Sequence, residues 1–351
     1  MTYRRPTFRH PDLPKNTLGF TKRDYEGAIS TLCAGCGHDS ISNAIIQACY
    51  ELSLEPHKVA KLSGIGCSSK TPAYFLGKSH GFNSVHGRMP SVATGANMAN
   101  RDLTYIGVSG DGDTASIGMG QFAHVIRRNL NMTYIVMNNG CYGLTKGQDS
   151  ATADRGSASK KGAPNPFESI DLCEMAIQLG SGFVARSFSG DKEQLVPLIK
   201  AAISHKGFSL LDVISPCVTF NNSDTSTKSY QWVRDHMEAT ATLDFIPLRQ
   251  EITTQYKEDT ATPVTLHDGS IINLYKKCGD AIDVTSRRCA IDALEKHREQ
   301  HQILTGLLYI NEQMGDTHEI LGTCSKPLNS LKEEELCPGS AVLQQILENY
   351  R

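Results

Sequence analysis

The sequence predicts an α/β fold in which a mostly parallel sheet carries helices on both faces. Short apolar runs alternate along the chain with stretches of helical periodicity, the pattern of strand–helix–strand units. A chain of 351 residues, 39% of them hydrophobic, is also large enough to bury one sizeable core. No internal repeat is visible.

Residues 1–30 are polar, contain proline, lack sustained periodicity and read as an N-terminal arm. From Gly37 the pattern becomes helical, with Ile41, Ala44, Ile45, Ala48 and Leu52 on one face and Asp39 or Ser40 as the expected N-cap. A strand is expected over Lys58–Leu62, running into Ser63-Gly-Ile-Gly-Cys67. Residues 81–97 read as a loop that becomes a helix of small residues. Further strands are expected at Leu103–Ser109, Met132–Met137, Phe183–Arg186 and Ser209–Ile214. Helices are expected between them at Met119–Arg128, Ile170–Leu179 and Gln194–His205. Asp149–Asn165, rich in Gly, Ser, Ala and Lys, reads as a long mobile loop beside any site the sheet carries. The main domain is thus expected over residues 31–225. Residues 226–351, polar and mixed in signal, are expected to be a C-terminal extension wrapping the core or a partner.

A formal charge of −2 gives no basic field, so neither nucleic acid nor an anionic membrane is suggested as a partner. The basic N-terminus lacks the apolar core of a signal peptide, and no apolar run is long enough to span a bilayer. The expected setting is cytoplasmic, where the eleven cysteines would stay reduced.

The segment Gly110-Asp-Gly-Asp113 ends one expected strand and opens a helix. In open parallel sheets, ligands gather at the carboxyl ends of strands, where helix N-termini attract anions. Two glycines admit a phosphate, but an aspartate repels it unless a cation lies between them. Magnesium would resolve the conflict, since it takes one or two side chains plus phosphate oxygens. A second ligand is expected from the next strand, which ends in Asn138-Asn139. The alternative is a pair of unrelated turns.

Four cysteines look organised: Cys33 and Cys36 in a C-x-x-C, with Cys67 and Cys217 each following an expected strand. Their spacing alone leaves a 4Fe-4S cluster, structural zinc, or redox and packing thiols open. Cys49, Cys173, Cys278, Cys289, Cys324 and Cys337 show no paired spacing and read as packing residues. His86 and Arg88 are candidates for cofactor or substrate contact or for loop stabilisation, whereas His38 and His124 carry no argument of their own.

The GDG segment followed by NN resembles the thiamine diphosphate motif. "LCAGCGH", "SGIGCSSK", "HGRMPSVATGANMAN", "GDGDTASIG", "YIVMNNGCYGLTKGQ" and "ISPC" together resemble beta subunits of 2-oxoacid:ferredoxin oxidoreductases, most closely the 2-oxoglutarate type. "TGLLYINE" and "PLNSL" extend the likeness towards the C-terminus. The resemblance implies the thiamine diphosphate-binding fold. It implies magnesium held by Asp111, Asn139 and the Cys141 carbonyl, with Gly110, Gly112, Asp113 and His86 around the cofactor. It also implies one 4Fe-4S cluster on Cys33, Cys36, Cys67 and Cys217, with Lys70, Leu144 and Lys146 on the substrate side. Pyruvate-type relatives tend to carry asparagine where this chain has Leu144, which favours 2-oxoglutarate. The implied reaction joins a 2-oxo acid and coenzyme A, releases carbon dioxide and passes electrons to ferredoxin. The implied partners are ferredoxin and an alpha subunit that supplies the glutamate for the pyrimidine ring. No coenzyme A site is recognisable in the sequence. Rival expectations are another 2-oxoacid substrate, a non-redox thiamine diphosphate decarboxylase with structural zinc, and a zinc-bound binding protein without catalysis.

Overall fold

A computed structural model describes residues 12–157, 163–221, 226–239, 261–265, 271–275, 282–337 and 339–350. Helix α1 (Gly37–Glu51) leads into β1 (Val59–Ser63), β2 (His80–Asn83), α2 (Met89–Ala99), β3 (Thr104–Gly110), α3 (Met119–Arg127) and β4 (Met132–Asn138). A small hairpin of β5 (Cys141–Tyr142) and β6 (Gln148–Asp149) follows. Next come α4 (Leu172–Leu179), β7 (Phe183–Phe188), α5 (Lys192–Ser204), β8 (Phe208–Ile214), α6 (Tyr230–His236) and β9 (Met237–Ala239). A separate antiparallel pair, β10 (Ala261–Thr265) and β11 (Ile271–Tyr275), precedes α7 (Arg287–Glu299) and β12 (Ile303–Ile310).

Eight of the twelve described strands form one sheet in the order β2-β1-β3-β4-β8-β7-β12-β9, and from β2 to β7 every pairing is parallel. Strands buried on both faces need apolar residues at consecutive positions. In β4, Tyr134 and Val136 enter one core while Ile135 and Met137 enter the other. Helix α4 closes one face and α1 with α5 the other, so the two-sided layering expected from the sequence is the one found.

Three expectations change. Helix α1 starts at Gly37 with Cys36 at the N-cap position, ahead of Asp39 and Ser40. An added Cβ at Gly37 would lie 2.7 Å from the hydroxyls of both Ser189 and Ser215, so only glycine lets the helix begin against that wall. Residues 81–83, expected as loop, belong to edge strand β2; all four of its residues are exposed, with Phe82 its one large apolar side chain, too little to mark a strand by pattern. The stretch expected to wrap the core instead enters it. Strand β12 pairs antiparallel with β7 and buries Leu304, Leu308 and Tyr309, while α7 buries Ala290 and Leu294. Its charged helix and split apolar positions hide that role from periodicity alone.

Within the expected arm, Tyr25 is fully buried and donates to the Leu54 carbonyl at 2.8 Å. Residues 1–11 lie outside the described chain. Cys49 and Cys173 pack in the core as expected, whereas Cys289, Cys324 and Cys337 are exposed; Cys278 lies outside the described residues. Among the described residues, no helix is long and apolar enough to cross a membrane.

Candidate functional site

Strands β3 and β4 are neighbours, and their carboxyl ends set two turns side by side. Beyond β3, Gly112–Ile117 forms a π-helical turn, a geometry enriched at functional sites because it re-aims side chains within a helix. Gly112 is required there. An added Cβ would lie 2.4 Å from the Tyr142 ring, and that ring is fixed because its hydroxyl donates to the Gly112 carbonyl at 3.0 Å.

Asp111 is 1% exposed, and among the described residues no ammonium or guanidinium pairs with it. Burial raises its pKa, opposed by hydrogen bonds from the Ser150 hydroxyl, the Asn139 amide and the Thr152 hydroxyl. A buried carboxylate stripped of water favours a cation beside it. Asn139 and Cys141 stand next to it on the β4 side: the Asn139 amide donates to Asp111 Oδ1 at 3.2 Å, and Asn139 Oδ1 accepts from the Cys141 amide at 3.1 Å. The two adjoining turns thus offer oxygen donors, a buried carboxylate and a side-chain amide. That chemistry fits magnesium.

Asp113, expected beside the cofactor, lines the cleft and also ties neighbouring segments together. Its carboxylate accepts from the Gly87 amide at 2.7 Å and the Ser109 hydroxyl at 2.9 Å. It also presses on Gly64, where an added Cβ would lie 1.7 Å from Oδ2. It therefore joins its own turn to the end of β3 and to the loops carrying Gly87 and Gly64.

One cleft is lined by His38, Cys67, Ser68, His86, Gly110, Asp111, Gly112, Asp113, Asn139, Cys141, Tyr142 and Leu144, among others. Lys70 and Lys146 are exposed and lie outside this lining, and the Arg88 guanidinium donates within its own loop, to the Gly87 carbonyl. The Ser68 hydroxyl is buried in the cleft without a hydrogen-bond partner, a group that a polar ligand would satisfy.

Cys33, Cys36, Cys67 and Cys217 are brought together from three places in the chain. An added Cβ at Gly143 would lie 3.4 Å from the Cys67 sulfur and 3.8 Å from that of Cys217. Burial, with Cys217 and Cys67 nearby, pushes the Cys36 thiol up to about 11. The Cys141 thiol, followed by the Thr219, Phe220 and Asn221 amides, holds Cys217 down to about 6 against the effect of burial. A thiolate stabilised by main-chain amides is a suitable iron ligand. Among the described residues, no group of three or more His, Cys, Asp or Glu could hold a single metal ion. A cubane asks for a different arrangement, with one thiolate at each of four irons.

Sequence reasoning missed His38, Ser150 and Thr152. His38 is buried beside the cleft, its Nδ1 2.5 Å from the Ser215 hydroxyl, and burial holds its pKa near 4, so it is neutral. Ser150, Thr152 and Ala153 are buried, so the start of the expected mobile loop is a polar wall behind Asp111; residues 158–162 lie outside the described chain. Thr152 Oγ1 also lies 2.9 Å from Asn138 Oδ1, and Asn138 donates to Asp212, which pairs with Arg186. The only sequence hint was the closeness of His38 to Cys36, and of Ser150 to the asparagine turn.

Residues 64–213 match the family model for the thiamine pyrophosphate enzyme, C-terminal TPP binding domain. The chain is 44% identical over 200 residues to a 2-oxoacid:ferredoxin oxidoreductase subunit beta of Saccharolobus solfataricus, covering 56% of this chain and 65% of that one. It is 41% identical to the 2-oxoglutarate synthase subunit KorB of Methanocaldococcus jannaschii over 192 residues, covering 54% of this chain and 69% of that one. The chain belongs to the 2-oxoacid:ferredoxin oxidoreductase beta-subunit family. A solved 2-oxoglutarate:ferredoxin oxidoreductase from Magnetococcus marinus, with 2-oxoglutarate, coenzyme A and succinyl-CoA bound, superposes on this family member with a TM-score of 0.69. The identity there is 29%, over 90% of this chain and 94% of that one. The first curated relatives are matched over slightly less than two thirds of their length, 65%, 64% and 62%.

Proposed function

We propose that the chain is the cofactor-bearing beta subunit of a coenzyme A-dependent 2-oxoacid:ferredoxin oxidoreductase acting on 2-oxoglutarate. The reaction is 2-oxoglutarate, coenzyme A and two oxidised ferredoxins to succinyl-CoA, carbon dioxide, a proton and two reduced ferredoxins, or its reverse. The observation that carries this reading is the buried, cation-free Asp111 beside Asn139 and Cys141, in a cleft shared with Cys67.

Asp111, Asn139 and the Cys141 carbonyl would hold magnesium, and the backbone at Gly110 and Gly112 would take the diphosphate. When bound, thiamine diphosphate supplies the carbon nucleophile that decarboxylates a 2-oxo acid. Cys33, Cys36, Cys67 and Cys217 would hold a 4Fe-4S cluster able to accept electrons singly. His86 lines the cofactor side of the cleft, and the half-exposed Leu144 its open side. Lys70 and Lys146, being exposed, are free to meet the distal carboxylate of a dicarboxylic substrate. The catalytic glutamate would come from an alpha subunit, and ferredoxin would dock near the cluster. Two relatives whose names specify 2-oxoglutarate, together with Leu144, support this substrate over pyruvate.

The test is metal and sulfide analysis with visible spectroscopy on anaerobically purified chain, followed by a 2-oxo acid panel on the complex with its alpha subunit. About four irons and four sulfides per chain are expected, with bleaching on adding 2-oxoglutarate and coenzyme A. One zinc and no sulfide would refute the redox reading, and faster bleaching by pyruvate would refute the substrate.

A further inference from the structure

Strand β1 carries a lysine where a strand buried on both faces calls for an apolar side chain. Lys61 pairs with Gly81 of β2 and Ile106 of β3, and it is 7% exposed. Its ammonium donates to three main-chain carbonyls, Pro72 at 2.5 Å, Phe75 at 2.7 Å and Leu76 at 3.0 Å. It also lies 5.4 Å from the centre of the Phe75 ring. Among the described residues no carboxylate pairs with it, and burial holds its pKa down near 8. An unpaired buried cation is costly, so a position that keeps one must draw a structural return from its hydrogen bonds.

The three carbonyls show what that return is. Ser68–Ala73 forms a 3-10 helix with Cys67 at its N-cap, and Pro72, Phe75 and Leu76 lie at and just beyond its C-terminal end. Carbonyls at a helix C-terminus lack intrahelical partners and carry partial negative charge, which an ammonium with three donors satisfies at once. Within the segment, the Lys70 amide donates to the Cys67 carbonyl at 3.2 Å and the Thr71 hydroxyl to the Ser68 carbonyl at 2.7 Å. Further off, the Ala73 carbonyl accepts from the Ala28 amide at 2.7 Å, and the Thr71 hydroxyl lies 4.0 Å from the Met137 sulfur of β4. Lys61 adds to these by gathering three carbonyls at and beyond the C-terminal end of the short helix onto β1.

We infer that Lys61 is a positioning residue: its ammonium fastens the C-terminal end of the Ser68–Ala73 helix to β1 and through that helix sets the Cys67 sulfur and the Ser68 hydroxyl in the cleft. The inference deepens the proposed function and rests on the cleft being a thiamine diphosphate site with Cys67 as a cluster ligand. Lys61 touches neither cofactor nor substrate and acts only through the short helix.

The test compares the full chain with Lys61→Met, Lys61→Arg and Ile199→Ala, the last a fully buried core residue of α5 outside the cleft lining. Circular dichroism melts identify a temperature at which all are folded. At that temperature calorimetry measures thiamine diphosphate binding with magnesium present, and visible circular dichroism reports the cluster. The expected result is that Lys61→Met binds thiamine diphosphate about tenfold more weakly and changes the visible spectrum. Lys61→Arg should recover most of the affinity, and Ile199→Ala should melt earlier yet keep wild-type binding. If Lys61→Met does not fold, Lys61→Gln replaces it. Wild-type affinity and spectrum in a folded Lys61→Met or Lys61→Gln chain would overturn the inference, as would an equal loss of affinity in Ile199→Ala. A wild-type chain without iron refutes only the cluster reading, because the binding measurement still decides Lys61. A wild-type chain that binds neither group overturns both.

Discussion

The Gly87 amide donates a 2.7 Å hydrogen bond to the Asp113 carboxylate, tying the loop that carries His86 to the turn that carries Asp111. Because Asp113 also holds Ser109 of β3 and abuts Gly64, replacing it by alanine should loosen both loops against the end of the strand. Asp113→Ala should cost about 1–3 kcal/mol, the penalty for stranding a buried donor. Thiamine diphosphate binding should weaken about tenfold or more. Denaturant titration and calorimetry check the two halves separately. Unchanged cofactor affinity would show that the turn and the His86 loop are independent.

Thr152 supports Asp111 from the wall behind it, with Oγ1 2.9 Å from Asp111 Oδ2. Thr152→Val keeps the shape and removes the hydroxyl. Magnesium dependence of thiamine diphosphate binding should shift about tenfold towards higher magnesium, as is typical when a ligand's supporting hydrogen bond is lost. Magnesium titrations at fixed thiamine diphosphate measure it.

Gly112→Ala would push a methyl group into the Tyr142 ring, which its own hydrogen bond to Gly112 keeps in place. The expected outcome is loss of thiamine diphosphate binding with fold retained, because the clash is confined to the turn. Far-UV circular dichroism and calorimetry on one sample distinguish this from unfolding.

His205 gives the protein an acid-sensitive edge. Burial lowers its pKa to about 4, and its Nε2 is buried without a partner. The folded value lies below the unfolded one, so the unfolded chain takes up the proton first. Stability is therefore full above about pH 6.5 and falls as pH drops towards 4, by ~3 kcal/mol at most before solvent screening reduces it. His205→Gln should flatten this part of a plot of Tm against pH, and an unchanged slope would assign the effect to other groups.

Leu144 lines the cleft, where the proposed function puts it on the substrate side. In the complex with the alpha subunit, Leu144→Asn should lower kcat/KM for 2-oxoglutarate relative to pyruvate by roughly 10-fold, the scale of one altered pocket contact. A ratio that does not move would place selectivity elsewhere.

The sequence by itself determined the parallel core, because strands buried on both faces must be written as continuous apolar runs between helical patterns. It also marked Asp111, Asn139 and the four cysteines, since carboxylates between glycines and paired cysteines stand out against composition. What it could not show is direction. Nothing in the letters says that the Asp113 carboxylate takes the Gly87 amide, or that His38, Ser150 and Thr152 are buried around the site. Strand β12 was hidden for a related reason: its partner β7 lies more than a hundred residues away, and register is decided by packing rather than by local preference. Lys61 reads as a solvated charge until the fold brings three carbonyls, 11 to 15 residues further along the chain, around its ammonium. Only the tertiary structure decides such contacts, because hydrogen-bond partners distant in sequence are chosen by where the sheet and its loops come to rest.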